Sequence, residues 1–136
     1  MSTQFLEQTF LKTYELEIGT FRFYENIVIG RIKEGMQVSL DNALPVFALA
    51  WEHYRDKPVV YISDRKHSYS LDPTMHFETN KLVPFVAGYA WVVYNDRTER
   101  VSCLEERFLN FPTAVFRSMD PALAWAWNIL QEKQLP

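Results

Sequence analysis

The chain contains little of what builds covalent cross-links, metal clusters or disordered segments. Its 136 residues include one cysteine, Cys103, which excludes an internal disulfide and a CxxC metal site. It has only four glycines, and its net charge of −3 argues against a nucleic-acid interface, which needs a basic face. No apolar run approaches the roughly 20 residues of a membrane-spanning helix. The sequence therefore predicts a protein that binds no nucleic acid and does not span a membrane.

The N-terminal segment also lacks the features of a signal peptide. Residues 1–8 contain neither a basic region nor a continuous apolar region, so we expect a cytoplasmic protein. The segment up to residue 11 has Phe5, Leu6, Phe10 and Leu11 as its apolar anchors. It predicts a short docking helix or a loose arm.

Apolar residues are abundant, and many of them are aromatic. They make up 48% of the chain, with ten phenylalanines, seven tyrosines and four tryptophans. A domain of this length buries roughly two-thirds of the surface of its extended chain, so one real core is possible without cross-links. We find no linker and no repeat, and we predict a single domain over residues 1–136.

The chain begins with a predicted β-hairpin. Apolar and charged residues alternate over residues 14–24, across Gly19, and a second apolar run covers Ile27–Ile32. Glu25 and Asn26 between these runs suit a short turn. The two runs therefore predict two antiparallel strands at the start of a sheet.

Helices and strands then alternate to the end of the chain. The first helix is predicted by an apolar stripe, with Ser39 or Asp41 as its cap. Its stripe consists of Ala43, Val46, Phe47, Ala50, Trp51 and Tyr54. Later helices are predicted over residues 74–82 and 97–109, and a final helix begins at Ser118 or Asp120. Strands are predicted at residues 58–62, 88–94 and 113–117. The order β-β-α-β-α-β-α-β-α indicates an α/β fold with a mixed five-stranded sheet and four helices.

The most polar stretch of the chain directly follows a very apolar strand. Pro58–Ile62 is typical of a strand buried on both faces, and Asp72 and Pro73 downstream suit the start of a helix. Open α/β sheets commonly place ligands at such strand ends. We therefore predict a binding site formed by Ser63, Asp64, Arg65, Lys66, His67, Ser68, Tyr69 and Thr74.

The same stretch also permits a purely structural interpretation. Short polar side chains such as Ser63 and Asp64 commonly close turns by bonding nearby backbone amides. In the binding interpretation, Arg65, Lys66 and His67 hold an anion beside the following helix N-terminus. The sequence leaves both interpretations open.

Catalysis and metal binding have weaker support. Asp64, His67 and Ser68, with Ser70 as a second nucleophile, are the residue types of a hydrolytic triad, but no Gly-x-Ser-x-Gly elbow is present. The three histidines are far apart and show no metal-ligand spacing. We expect no catalytic residue, no metal and no cofactor.

The third helix is predicted to turn Val101, Leu104 and Phe108 toward the core. Cys103 on the same helix is expected to be a small core or boundary residue.

The positions of the tryptophans bear on whether part of the protein surface binds a partner. Trp51 and Trp91 are expected in the core, whereas Trp125 and Trp127 fall on different sides of the last helix. Exposed aromatic residues often mark a partner surface. The alternative is that Trp125 packs against the rim of the sheet or the N-terminal arm.

Three segments carry a family resemblance: residues 23–30, 56–63 and 122–126. With the order of elements, they resemble the SpoIIAA-like group of bacterial STAS-domain proteins, over about residues 12–132. The resemblance implies a cytoplasmic regulatory or ligand-responsive module, generally without catalysis. Related anti-sigma-factor antagonists are phosphorylated in an Asp-Ser-Ser/Thr-Gly motif after the third strand. Here the stretch reads Ser63-Asp64-Arg65-Lys66, so the resemblance carries over the location of a site and not the phosphorylation.

We therefore expect a non-enzymatic STAS-like module that recognises a partner protein or a small anionic or apolar ligand at the loop after the central strand. The surplus of aromatic residues motivates an alternative, a lipid carrier with a hydrophobic pocket between helices and sheet. A second alternative is a small serine hydrolase that uses Ser68 or Ser70 with His67. An open edge of the first hairpin would permit a homodimer.

Overall fold

The computed structural model of the chain describes residues 8–134. The strands are β1 (Phe10–Leu16), β2 (Gly19–Tyr24), β3 (Ile27–Ile32), β4 (Gln37–Val38), β5 (Val59–Asp64), β6 (Ser70–Leu71), β7 (Val86–Val92) and β8 (Thr113–Phe116). The helices are α1 (Leu40–Tyr54), α2 (His76–Leu82), α3 (Asp96–Glu105) and α4 (Met119–Gln134), and single 3₁₀ turns at Pro73–Met75 and Glu106–Phe108 adjoin α2 and α3. The predicted anchors Phe5 and Leu6 lie outside the described residues.

Six of these strands form one sheet, in the order β1-β2-β3-β5-β7-β8. Strands β1, β2 and β3 pair antiparallel, whereas β3, β5, β7 and β8 pair parallel. The predictions of an α/β fold, a mixed sheet and four helices are confirmed for residues 8–134. The prediction of five strands is wrong. Strand β5 lies in the middle of the sheet, as its composition predicts.

The additional strand arises because the predicted first strand folds back on itself. Residues 17 and 18 form a turn, so residues 10–16, partly assigned to the arm, become β1 and pair with β2. Gly19 allows β3 to approach closely, because an added Cβ would lie 2.2 Å from the carbonyl oxygen of Arg31. The one sequence signal of this turn is that the apolar alternation moves from even to odd positions at Gly19.

Helix α1 begins after a capping box. The Ser39 hydroxyl accepts a hydrogen bond from the Asn42 amide, and the Asn42 side chain accepts one from the Ser39 amide. Ser39 rather than Asp41 is therefore the cap, and Pro45 lies inside the helix. No helix within residues 8–134 is both long enough and apolar enough to cross a membrane.

Different helices cover the two faces of the sheet. Val59 and Tyr61 of β5 point to the side where α1 and α2 pack, which we call the first face. Val60 and Ile62 point to the opposite side, the second face, where α4 packs. The alternation of side chains along β5 thus serves two separate cores.

The second face is closed by small side chains. Ala122 and Ala126 of α4 are fully buried against the sheet. Trp125 packs over Gly88, where an added Cβ would lie 2.9 Å from the indole ring, and its centroid lies 6.2 Å from that of Phe116. Trp125 is therefore half-buried against the sheet.

Two residues that we expected in or near the core are instead exposed. Trp51 is 44% exposed, and its indole N–H donates a hydrogen bond to the Leu82 carbonyl. Cys103 is exposed on α3. Trp91, in contrast, is completely buried on the first face, as expected.

Candidate functional site

The structure divides the polar stretch after β5 between the two faces of the sheet. Ser63 and Arg65 contact residues on the first face, whereas Asp64 between them points to the second face. All three are buried, at 2%, 5% and 4% exposure. Strand alternation explains the division, because successive side chains leave the backbone on opposite sides. The predicted site residues therefore do not all converge on one point.

Asp64 forms an ion pair on the second face. Its Oδ2 lies 2.7 Å from Arg31 Nη2, and its Oδ1 accepts a hydrogen bond of 2.7 Å from the Tyr94 hydroxyl. Partial burial and this hydrogen bond to Asp64 raise the pKa of Tyr94 to about 12. The ion pair borders a depression of about 480 Å³ between β2, β3 and the start of α4, which Arg22 and Asp120 also line. Arg31 therefore neutralises the carboxylate at the carboxyl end of β5.

Arg65 forms a buried ion pair on the first face. Its Nη2 lies 2.6 Å from Oε2 of Glu105, which is 1% exposed on α3. Its Nε donates to the Tyr69 hydroxyl at 2.7 Å, and its Nη1 donates to the Ser102 hydroxyl at 3.3 Å. The polar groups of Arg65 are thus engaged inside the protein. An anion from solvent would have to compete with Glu105 for this guanidinium.

His76 extends this buried network into α2. Its Nε2 lies 2.7 Å from Oε1 of Glu105, and its Nδ1 lies 3.3 Å from the Thr79 hydroxyl. A proton on Nε2 satisfies both contacts, because the ring then donates to the carboxylate and accepts from the hydroxyl. Glu105 therefore joins the loop after β5 to two helices.

The charges in this network set the protonation of its neighbours. Burial raises the pKa of Tyr69 above its usual range, although the adjacent Arg65 opposes the shift. Burial alone would lower the pKa of Arg65, but Tyr69 and Glu105 together raise it above its usual value. Arg65 therefore stays charged and Tyr69 stays protonated at neutral pH.

A cavity lies next to this network, between α1, α2 and the first face of the sheet. Its volume is about 90 Å³, and we call it the chamber. Side chains from β2, β3, β5 and β7 form its floor, the apolar stripe of α1 forms part of its roof, and Leu71 and Met75 lie at one end. The floor residues include Phe21, Phe23, Val28, Tyr61, Val86 and Tyr89. The roof residues include Ala43, Val46, Phe47, Ala50 and Tyr54. The chamber lies within the core that α1 forms with the sheet.

One wall of the chamber is polar. Tyr69, His76 and Thr79 line it together with the rings of Tyr61 and Tyr89. The Tyr61 and Tyr89 rings pack with centroids 4.9 Å apart, and neither hydroxyl has a hydrogen-bond partner among the residues that the structure describes. Burial raises the pKa of Tyr61 and of Tyr89 well above the usual tyrosine range. Both phenols are therefore protonated donors at neutral pH.

The remaining predicted site residues lie at the surface loop. Lys66 is exposed and His67 is half-buried. The Ser68 amide donates to Glu34 Oε2 at 2.8 Å, which joins this loop to the end of β3. Thr74 donates from its amide and hydroxyl to Asp72, and these two bonds lower the pKa of the Asp72 carboxyl. The prediction that this loop binds a partner or ligand stays a prediction.

The groups of a hydrolytic triad do not come together in this loop. Asp64 contacts Arg31 and Tyr94 on the second face, and no hydrogen bond within residues 8–134 joins His67 to Ser68 or Ser70. In the same part of the chain, no three acidic, histidine or cysteine side chains cluster as metal ligands would. The arrangement provides a cavity with hydrogen-bond donors rather than an assembled nucleophile and base.

Sequence reasoning missed the partners of Arg65. Glu105 and Ser102 lie three residues apart on α3, where a helix presents both to one side, and this spacing is a weak sign of a polar inner face. The apolar spacing of Val101 and Leu104 instead predicted that these two residues face the core. No sequence pattern indicated that Tyr61 and Tyr89 line a cavity, because both simply lie within apolar strands.

No family model matches the chain, and neither a curated protein nor a solved structure is detectably similar to it.

Proposed function

We propose that the protein is a non-catalytic, STAS-like binding module that holds a small, largely apolar ligand in the chamber. The carrying observation is the unfilled space of about 90 Å³ among apolar and aromatic side chains on the first face. Protein interiors are normally packed without voids of this size. An unfilled apolar space with a few polar groups at one end is typical of ligand sites.

The polar wall restricts the chemistry of the ligand. The hydroxyls of Tyr61 and Tyr89 are protonated and have no partner among the described residues, so each would donate to an acceptor atom. A carbonyl or ether oxygen in the chamber would accept hydrogen bonds from these donors. A free carboxylate is disfavoured, because the buried cation beside this wall, Arg65, is already paired with Glu105. The preferred ligand is therefore neutral, apolar and equipped with an acceptor oxygen.

The volume restricts the size of the ligand. An engineered protein cavity of about 150 Å³ accommodates benzene, and drug-sized ligands occupy about 300–1,000 Å³. The chamber of about 90 Å³ therefore accepts a few heavy atoms as it stands. A lipid-sized ligand would require α1 to move away from the sheet. The lipid-carrier alternative therefore needs a conformational change that the binding of a small ligand does not.

The loop after β5 takes part in this proposal through Tyr69 and Arg65. Tyr69 lines the chamber, and its hydroxyl accepts the hydrogen bond from Arg65 Nε. A ligand in the chamber would therefore contact the segment where STAS-like proteins are expected to respond. Recognition of a partner at the exposed part of the loop, through Lys66 and His67, remains part of the proposal.

A cavity-filling variant tests the proposal. Ala43 lines the chamber and is buried, whereas Ala48 lies exposed on the same helix, so Ala48→Leu is the matched control for Ala43→Leu. We expect acetone, a neutral ligand with four heavy atoms and an acceptor oxygen, to shift the NMR signals of Tyr61 and Tyr89 in the wild type and in the control. Ala43→Leu should abolish these shifts. Equal shifts in both variants, or shifts confined to the surface, would refute binding in the chamber.

A further inference from the structure

Helix α3 buries a polar side and exposes an apolar side, which is the reverse of what its sequence pattern predicts. It buries Ser102 and Glu105, which contact Arg65, and it leaves Val101 and Leu104 at 39% and 46% exposure. The buried ion pair accounts for this orientation, because an unpaired Arg65 in the core would cost several kcal/mol. The consequence is an exposed apolar stripe where the amphipathic pattern predicts a buried one.

The stripe continues onto neighbouring elements. Phe108 in the 3₁₀ turn follows Leu104 at helical spacing, and its ring meets that of Phe77 edge-on with centroids 5.3 Å apart. Phe77 on α2 is 51% exposed. We call Phe77, Val101, Leu104 and Phe108 the α3 surface. Exposed apolar groups that adjoin one another in this way commonly mark an interaction site.

Arginines without ionic partners flank the α3 surface. Arg97, Arg100 and Arg107 are exposed, and within residues 8–134 none of them forms an ion pair. Helical spacing puts Arg97 and Arg100 one turn from Val101 and Leu104.

The acidic residues of the same segment are already engaged. Arg117 pairs with Asp96 at 2.6 Å and with Glu99 at 3.2 Å. Glu106 accepts a hydrogen bond of 2.7 Å from the Thr113 hydroxyl. The positive charges beside the stripe are therefore the ones left for a partner.

We propose that the α3 surface docks an acidic, amphipathic segment of a partner protein. Apolar residues at helical spacing on the partner would cover the stripe, and its carboxylates would pair with the three arginines, which favour planar, bidentate contacts. An anionic membrane fits less well, because the whole protein carries a net charge of −3. A second copy of this surface fits poorly too, because two arginine clusters would face each other.

The test is selection of 16-residue peptides from an unbiased displayed library against the full chain. We expect selected peptides that are acidic, with apolar residues three and four positions apart. Their binding should weaken at least about tenfold in Arg97→Glu/Arg100→Glu/Arg107→Glu, which corresponds to about 1.4 kcal/mol. The variant Val101→Ser/Leu104→Ser should show a similar loss. Cys103 is exposed and lies about one turn from Arg100 and Arg107, so its modification with a bulky maleimide should also block binding.

A charge-matched control separates this effect from net charge. Lys33→Glu/Arg55→Glu/Lys133→Glu changes three exposed residues away from the α3 surface and should bind the peptides within about twofold of the wild type. Selected peptides without acidic enrichment, or equal weakening by both triple variants, would overturn the proposal. Stronger binding to phosphatidylcholine–phosphatidylserine vesicles than to the peptides would also overturn it, as would dimerisation that the α3 variants abolish. Ala43→Leu should bind the peptides like the wild type, so a failure of ligand binding in the chamber and a failure of peptide docking can be told apart.

Discussion

The two faces of the sheet solve the same packing problem in different ways. On the second face, small residues such as Gly88, Ala90 and Ala126 let α4 lie close to β5 and β7, and the depression of about 480 Å³ lies beside this contact, over β2 and β3. On the first face, the rings of Tyr61 and Tyr89 stand between the sheet and its helices. The second face is therefore closely packed where α4 crosses β5 and β7, whereas the first face keeps a chamber between its helices and these same strands.

Side-chain size and polarity together account for the difference. Small side chains allow a helix backbone to approach a sheet, but large rings meet mainly at their edges and leave gaps that neighbouring residues must fill. The first face also buries Arg65, Glu105 and His76, which need fixed partners. Stability on the second face thus comes from close packing, and the first face gives up some of it for a cavity and a polar network.

The largest expected effect comes from breaking the buried ion pair. Arg65→Met leaves Glu105 without its cation inside the protein, so we expect a loss of about 3–5 kcal/mol in the free energy of unfolding. The neighbouring Lys66→Met changes an exposed lysine and should alter stability by less than about 0.5 kcal/mol. Urea unfolding followed by circular dichroism measures both values.

A double variant sharpens this prediction. Arg65→Met/Glu105→Gln removes both charges, so it should be more stable than Arg65→Met alone. If the double variant lost as much as the sum of the two single variants, the ion pair would not couple the loop to α3.

High pH should act mainly through the first face. Burial raises the pKa values of Tyr61 and Tyr89 above the usual value of about 10, so both tyrosines bind their protons more tightly in the folded than in the unfolded state. Their contribution to stability is complete below about pH 10 and declines as the pH rises toward their folded-state pKa values. The slope is about 1.4 kcal/mol per pH unit for each tyrosine that ionises only after unfolding.

Absorbance at 295 nm together with circular dichroism checks this expectation. Part of the tyrosine ionisation should coincide with cooperative unfolding above pH 10. Tyr61→Phe/Tyr89→Phe should unfold at a higher pH than the wild type. Complete tyrosine ionisation in a folded protein would show that the phenols of the first face are open to solvent.

The smallest expected effects compare the same substitution on both faces. Ala126→Leu adds volume to a filled interface and should cost about 1–3 kcal/mol. Ala43→Leu adds the same volume next to the chamber and should be neutral or stabilising by up to about 1 kcal/mol, because it fills existing space. Equal destabilisation by both substitutions would mean that the two faces are equally well packed.

Much of the fold was predictable because its signals are local. Pro58–Ile62 is apolar and β-branched, and it forms most of the central strand β5. The stripe on α1 has helical spacing, and apart from Trp51 it lines the chamber. The additional strand was missed because residues 17 and 18 are not typical turn residues, and only the phase of the alternation marks the turn.

The site was less predictable because its groups come from distant parts of the chain. Arg65 pairs with Glu105, forty positions later, and Glu105 also contacts His76 on a third element. Nothing in the spacing of residues 63–70 indicated that Asp64 and Arg65 point to opposite faces and meet different partners. The predicted inward orientation of Val101 and Leu104 was wrong for the same reason, since it ignored the charge that α3 must neutralise.

By itself, the amino-acid sequence determined where the four helices and most strands form and which central strand anchors the sheet, because periodicity and capping act over a few neighbouring residues. Only the tertiary structure decided that the chamber stays open, that Glu105 rather than Leu104 faces the core, and that the phenols of Tyr61 and Tyr89 line one wall. These outcomes depend on the volumes and charges that remote segments bring together. An unpaired charge in the core costs more free energy than an exposed apolar side chain on a helix.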